Sequence, residues 1–481
     1  MGVLSALEPQ SVFRFFEEIC SIPHGSYNTD KITAYCVDFA KERGLWVRSD
    51  EAGNVIIKKP ATAGYEDRPT VIFQGHLDMV AVKEPDCELD MQKDGLRLMT
   101  DGKEVSAEGT SLGGDDGIAV AYGLALLDAK DIAHPALEVV LTVNEEVGML
   151  GADALDCSDL EGRIFLNADS EEEGIFLTSC AGGNRVTFHY ETRFVETEGI
   201  RLTLTVDGLQ GGHSGVEIHK GRANANVLLG RVLLKLSEAA AYGVSCFAGG
   251  EMDNAICNAA SATLTAAKED IPALQEAFLA LKTEIAHEYA ATEPTMQMTL
   301  EEGKEGTYKV LHPSVASAVV LTLVHMPNGV QRMEPEMPGM VRTSLNIGIL
   351  EQDEEEIQLH YAMRSSSESE KHWLEARAES LAMLFGGEVT VSGDYPGWEY
   401  RPDSHVREVI CRVYEQQTGK KPVVCGIHAG LECGIFASKL PGLDCVSFGQ
   451  QMVVLHTTKE KLYVYSVQRS WEMLKEVLKE I

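Results

Sequence analysis

Apolar and polar residues follow two different rhythms along this chain. Between Thr29 and Gly44 the residues Ile32, Tyr35, Cys36, Phe39 and Ala40 recur at helical spacing, with a threonine in the capping position and a glycine behind, which predicts an amphipathic helix. Short β-branched runs bounded by turn residues come next. Residues 45–48, 55–59 and 70–73 read as strands, 118–129 as a helix, 137–143 (LEVVLTV) as a buried strand and 163–167 as a further short strand. Alternating helix and strand imply an α/β sheet covered by helices.

Near residue 186 the rhythm changes. VTFHYETRFV and IRLTLTVDG alternate with period two, as half-exposed antiparallel strands do. The new module runs through Ala-rich helical stretches (223–241 and 271–290) and further alternating strands (339–348 and 358–365), ending near the Pro396-Gly397 turn. A helix over 404–418, a buried strand over 443–448 and a final helix from Ser466 then restore the first texture. The expected division is 1–185 plus 396–481 as one domain, with 186–395 inserted as an α+β domain. No internal repeat or low-complexity stretch is present, and the charge run EQDEEEIQ near Asp353 reads as a solvated face.

Chemistry concentrates just beyond the predicted strands. His76 and Asp78 in FQGHLD stand two residues apart, so an extended backbone sends both side chains from one face. The glycine-flanked pair Asp115-Asp116 in LGGDDG leads into the apolar helix, where a single Asp would suffice as a cap. Glu145 and Glu146 in TVNEEVGM follow the most apolar strand. Adjacent carboxylates there are costly unless a cation or proton neutralises them. On an extended strand they would point in opposite directions, one toward a metal and the other toward a water. Asp169 in LNADS ends another strand, and His456 follows an apolar segment far downstream. Strand ends of an α/β sheet meet at one crevice, so His76, Asp78, Asp115, Glu145, Glu146 and Asp169 form a set. Imidazole with carboxylate suits zinc or a similar divalent ion, and a shared carboxylate is what a two-metal site requires.

Composition narrows the field. With 41 Lys+Arg against 74 Asp+Glu the formal charge is −33, and no basic stripe is present, which argues against nucleic-acid and membrane-surface partners. The 11 cysteines are scattered without a CxxC pair, as in a reducing compartment. The opening MGVLSALEPQ lacks the features of a secretory signal, and no apolar run is long enough to span a bilayer. A cytoplasmic location is expected.

GHLDMV, LGGDDG, TVNEEVGM and LNADSEEEG resemble the metal motifs of the co-catalytic dizinc aminopeptidase-like exopeptidases. SIPHGSYNT, GGHSGVEIHKGRANAN, DYPGWEYRPDS and IHAGLECGIF narrow the resemblance to the bacterial aminoacyl-histidine dipeptidases, also called cytosol non-specific dipeptidases. The resemblance covers nearly the whole chain. It implies a zinc-exopeptidase-like mixed sheet flanked by helices with an inserted lid, and hydrolysis of dipeptides of the Xaa-His type and more broadly. It also implies two divalent ions, with zinc ahead of manganese or cobalt. One ion would be held by His76 and Asp169, the other by Glu146 and His456, with Asp115 bridging. Glu145 would be the base taking a proton from the metal-bridging water, and Asp78 would fix the tautomer of His76. In the lid, His213 would steady the oxyanion, while Asn254 and Arg364 would grip the substrate's terminal carboxylate. Relatives in this family are often homodimers through the lid.

Two departures stand out. Leu455-His456-Thr457-Thr458-Lys459-Glu460 replaces a Pro-His-Ser-Pro-Asp-Glu type stretch, and Asp116 stands where Asn is common. Competing readings share the same residues: an amidohydrolase of N-acyl amino acids, or a non-catalytic metal- or peptide-binding protein, against which Glu145 argues. A serine hydrolase is suggested only by GTSLG at 109–113, where the preceding KEVSAE is too polar for the buried strand a nucleophile elbow needs.

Overall fold

A computed structural model describes residues 2–481. The run VIFQGH, Val71–His76, is buried throughout and lies between two parallel neighbours, Leu137–Thr142 and Ile164–Ser170. Strands covered on both faces have no polar face to show, so these segments are almost continuously apolar. Asp444–Gly449 adds a further parallel strand, and antiparallel strands complete an eight-stranded mixed sheet. Its order is Trp46–Ser49, Val55–Lys59, Leu137–Thr142, Val71–His76, Ile164–Ser170, Asp444–Gly449, Ile175–Cys180, Val423–Ile427. The helix Gly114–Asp128 is apolar all round and accordingly buried on every side. The helices Asp30–Glu42 and Val464–Glu480 turn one apolar face into the same core, as does Gln10–Cys20, which the sequence reading did not anticipate.

The chain divides into two units. The first comprises 1–180, 398–426 and 431–481, and the second 181–397 with 427–430. The expected boundaries lay at 185/186 and 395/396, and the four-residue return at 427–430 has no signature in the sequence pattern.

The second unit is built on a nine-stranded sheet whose recorded pairings are antiparallel. Along Phe194–Asp207 the residues Ile200, Leu202, Leu204 and Val206 are buried and Arg201 and Thr203 exposed, the period-two alternation that marked the module in the sequence. The helices Ala225–Ala239, Ile271–Glu288, Pro313–His325 and Glu368–Phe385 contribute to its own core. Among the described residues, no helix is long and apolar enough to cross a membrane.

Candidate metal centre

Three parallel strands set the first unit's site. Their register pairs His76 with Thr142 and Gln74 with Asn167, so two residues beyond the second pair His76 and Asp169 stand on neighbouring strands. Glu145 and Glu146 come three and four residues after Thr142. Here the structure departs from the sequence argument: the strand ends at Thr142, Asn144 adopts φ 56°, and both glutamates sit in a turn. The backbone turn, not strand alternation, decides where each carboxylate points.

The loop at 113–116 brings the fourth element. Asp115 and Asp116 have non-helical backbone angles, the peptide bond between them is cis, and the regular helix begins after them. Asp116 does not cap that helix. Its Oδ2 accepts a hydrogen bond from the backbone N–H of His76 at 3.1 Å. A Cβ on Gly75 would lie 2.6 Å from that oxygen, so the glycine in FQGH is needed for the approach.

Asp115 occupies the middle. His76 Nε2 lies 3.2 Å from Asp115 Oδ1 and 3.6 Å from Asp169 Oδ1. On the other side, His456 Nε2 lies 3.2 Å from Asp115 Oδ2 and 3.0 Å from Glu146 Oε1. Each oxygen of one carboxylate thus faces a different imidazole, each imidazole with a second carboxylate beside it. Three groups, His76 with Asp116 and Asp169, His76 with Glu145 and Glu146, and Asp115 with Glu146 and His456, each have potential ligand atoms within 4.8 Å of one another.

The electrostatics describe a site short of positive charge. Burial works against a charged His76, but Asp115, Asp169 and Asp78 more than reverse it and raise its pKa well above the usual value. Asp115 and Glu146 likewise raise that of the half-exposed His456, to about 10. Burial pushes Asp169 and Asp116 up, with neighbouring carboxylates adding to it. Glu145 is raised to about 8, first by burial and then by the charges of Glu432, Glu146 and Asp115. The ion pairs recorded for Asp115, Glu146 and Asp169 run to the two histidines. Asp116 Oδ1 is buried without a hydrogen-bond partner among the described residues, and the buried Glu146 Oε1 faces the His456 imidazole. An unsatisfied buried oxygen among clustered carboxylates and imidazole nitrogens fits a divalent cation, which would supply the missing charge and a missing partner at once.

The surrounding groups hold these side chains in place. Asp78 accepts from the Glu145 backbone N–H at 3.0 Å and from the Ser26 hydroxyl at 2.8 Å, so it ties the SIPHGSYNT segment and the glutamate turn together. His76 Nδ1 faces the Asp78 carbonyl oxygen at 2.9 Å, while the Asp78 carboxylate lies at 3.6 Å. That carbonyl holds the proton on Nδ1 and leaves Nε2 as the nitrogen facing the carboxylates.

Glu432, which the sequence reading passed over, is fully buried at the start of the helix Glu432–Lys439. It accepts from Gln74 Nε2 at 2.5 Å and Thr142 Oγ1 at 2.8 Å, and Gln74 in turn accepts from Asn167 at 2.7 Å. The signal was an acid inside the apolar run GLECGIF and an amide inside VIFQGH. Ser111 of the GTSLG match is buried, its hydroxyl donating to the Val80 carbonyl at 2.7 Å.

The second unit carries His213, Asn254 and Arg364. His213 Nδ1 accepts from the backbone N–H groups of Gly215 at 3.0 Å and Val216 at 3.2 Å, which places the ring proton on Nε2. Burial and then the Arg364 charge lower its pKa, so the ring is a neutral donor. Asn254 and Arg364 line one small cavity of about 50 Å3 with Arg185, Asp253 and Tyr395. Arg364 Nη1 donates to Tyr395 Oη at 3.0 Å, and its Nε is buried without a partner.

Known proteins resemble this chain over its full length. It is 38% identical over 483 residues to the cytosol non-specific dipeptidase of Escherichia coli K12, covering 100% of this chain and 99% of that one. The crystal structure of aminoacylhistidine dipeptidase from Vibrio alginolyticus superposes with a TM-score of 0.95 at 38% identity, over 99% of this chain and 98% of the other. Aminopeptidase PepT from Bacillus cereus shares the fold at TM-score 0.56 and 17% identity, over 98% of this chain and 99% of that one. The profile of peptidase family M20/M25/M40 matches residues 72–480, a span containing every strand end that supplies the carboxylates and imidazoles of the centre. The chain therefore belongs to peptidase family M20/M25/M40, as a hydrolase of peptide bonds that binds divalent metal.

Proposed function

We propose that the protein is a dipeptidase of broad specificity, Xaa-His substrates included, working with two divalent ions of which zinc is the first choice. The observation that carries the reading is Asp115, with one oxygen toward His76 and the other toward His456. His76 and Asp169 would hold one ion and Glu146 and His456 the second, with Asp115 shared. When bound, such ions polarise the scissile carbonyl and lower the pKa of water.

The remaining work falls to the chain. Glu145, a carboxylate whose basicity burial raises, is suited to take a proton from the attacking water and return it to the leaving amine nitrogen as the C–N bond breaks. Cations beside it draw its pKa downward and counter the neighbouring carboxylates. His213, its proton fixed on Nε2, is suited to donate to the developing oxyanion. Arg364, its Nε unpartnered, is suited to the substrate's terminal carboxylate, with Asn254 on the same cavity as a further contact. Both relatives described above at 38% identity are named as dipeptidases, which favours a small peptide over an N-acyl amino acid. Pairing of two copies through the second unit belongs to the same reading, its sheet ending on the largely exposed strand Gln297–Leu311.

The test is an activity panel of dipeptides and N-acyl amino acids on metal-stripped protein reloaded with zinc, manganese or cobalt. Metal-dependent release of free amino acids from several dipeptides, Xaa-His among them, is expected. Turnover of N-acyl amino acids alone would assign the amidohydrolase reading, and no turnover with any metal would leave a binding protein.

A further inference from the structure

Four residues after His456, Glu460 is 3% exposed in a segment, KEKLYVY, whose composition suggests a solvated strand. Its carboxylate is turned into the LGGDDG loop. Oε2 accepts from the backbone N–H groups of Leu112 at 3.0 Å and Gly113 at 3.2 Å, and Oε1 from Gly114 at 2.8 Å, with the Asp115 N–H at 3.5 Å. Successive amides aimed at one carboxylate form a small anion cradle, here filled by a side chain of the same chain.

The route by which Glu460 reaches this loop is visible in the register. Strand Lys461–Tyr463, which begins at the next residue, pairs Leu462 with Val105 and Tyr463 with Glu104 on the strand that precedes the loop. Space is matched as well: a Cβ on Gly114 would lie 3.2 Å from Glu460 Oε1 and 3.0 Å from Met452 Sδ, so a side chain there would crowd the carboxylate.

We propose that Glu460 is a positioning residue of the metal centre, a single buried carboxylate that fastens the loop bearing Asp115 to the segment bearing His456. Resting on the assignment of Asp115 as the shared ligand, this goes further by naming what aims it. Asp115 faces two imidazoles that come from segments far apart in sequence, so a small rotation of its loop would spoil both distances together. Four amide donors on Glu460 fix that rotation before any ion arrives. The tie is selective for a carboxylate: in Glu460→Gln one acceptor oxygen becomes an NH2 donor facing backbone N–H donors, and a buried clash of donors replaces two hydrogen bonds.

The experiment compares wild type, Glu460→Gln and Asp115→Asn by titrating metal-free protein with zinc against a chromophoric chelator, and by recording the visible spectrum of the cobalt form. Glu460→Gln is expected to weaken both ions together, by about 10- to 100-fold, as loss of a group that orients ligands does. Its cobalt bands should change in intensity, a readout that a general loss of stability does not move. Asp115→Asn is expected to lose more. If Asp115→Asn loses metal while Glu460→Gln binds two ions with wild-type affinity and spectrum, the role of Glu460 is overturned. If Asp115→Asn itself binds like wild type, the ligand assignment fails instead.

Should Glu460→Gln not fold, hydrogen exchange on metal-free wild type decides. Slow exchange at Leu112, Gly113 and Gly114 is expected, and exchange as fast as in exposed loops would overturn the proposal.

Discussion

The two units place polar groups in opposite ways. In the first, Asp115, Asp116, Glu145, Glu146 and Asp169 crowd around two imidazoles, and the buried Asp116 Oδ1 is left without a partner. In the second, His213 has its ring proton fixed by two backbone amides, and Arg364 brings a permanent charge next to neutral histidines. One site is incomplete without a cation, because like charges cannot share a buried volume unless something neutralises them. The other is short of an anion instead: its donors are already oriented, and Arg364 Nε is buried without a partner. An acid-rich centre can hold a Lewis acid; a neutral donor and a guanidinium can grip an anion.

The sharpest test of that contrast is Glu145→Ala. Turnover should fall by about 10^3-fold or more with the metal-to-protein ratio unchanged, measured by steady-state kinetics and elemental analysis. A variant that retains most of the rate would remove Glu145 from its role. His213→Ala should lower kcat by about 10^2- to 10^3-fold, as the loss of one preorganised donor to an oxyanion does, again with full metal content. Arg364→Ala should act mainly on KM, raising it about 10- to 100-fold if the guanidinium holds the substrate carboxylate. An unchanged KM would detach it from binding. His456→Ala separates the units in the other direction: metal occupancy should drop while the second unit's stability stays the same.

The smallest effect concerns pH. Burial, followed by the charge of Arg364, lowers the pKa of His428 in the second unit to about 3. Its Nε2 sits 2.7 Å from the Ser344 hydroxyl. Because the unfolded chain takes up a proton near the ordinary value while the native ring does not, stability falls as pH drops from about 6.5 toward 3. At pH 5 the loss is about 2 kcal/mol. His428→Gln should flatten this limb in denaturant titrations, and an unaltered acid slope would show that other groups govern it.

Most ligand candidates were legible because chemistry that needs several buried acids leaves them next to glycines and behind apolar strands, as in LGGDDG and TVNEEVGM. Of the groups that hold them, Asp78 was legible too, but Glu460, Gln74 and Glu432 were not. Glu460 lies in a charged stretch and Gln74 in an apolar strand, and neither spacing nor composition connects Glu460 with Leu112 or Gln74 with Glu432. The helix Glu368–Phe385 carries no clear periodic signal either, since its polar and apolar residues show little segregation to opposite faces.

What the sequence determined by itself is local: period-two and helical rhythms that name the elements, and residue types that can hold a divalent ion. Tertiary structure decided the rest, because direction and partnership are set by packing. It put Glu145 and Glu146 on a turn instead of a strand and gave His76 Nδ1 a carbonyl partner. It also brought His456 and Asp115, 341 residues apart, to 3.2 Å. No periodicity encodes such a distance, since it results from the register of a sheet whose strands come from both ends of the chain.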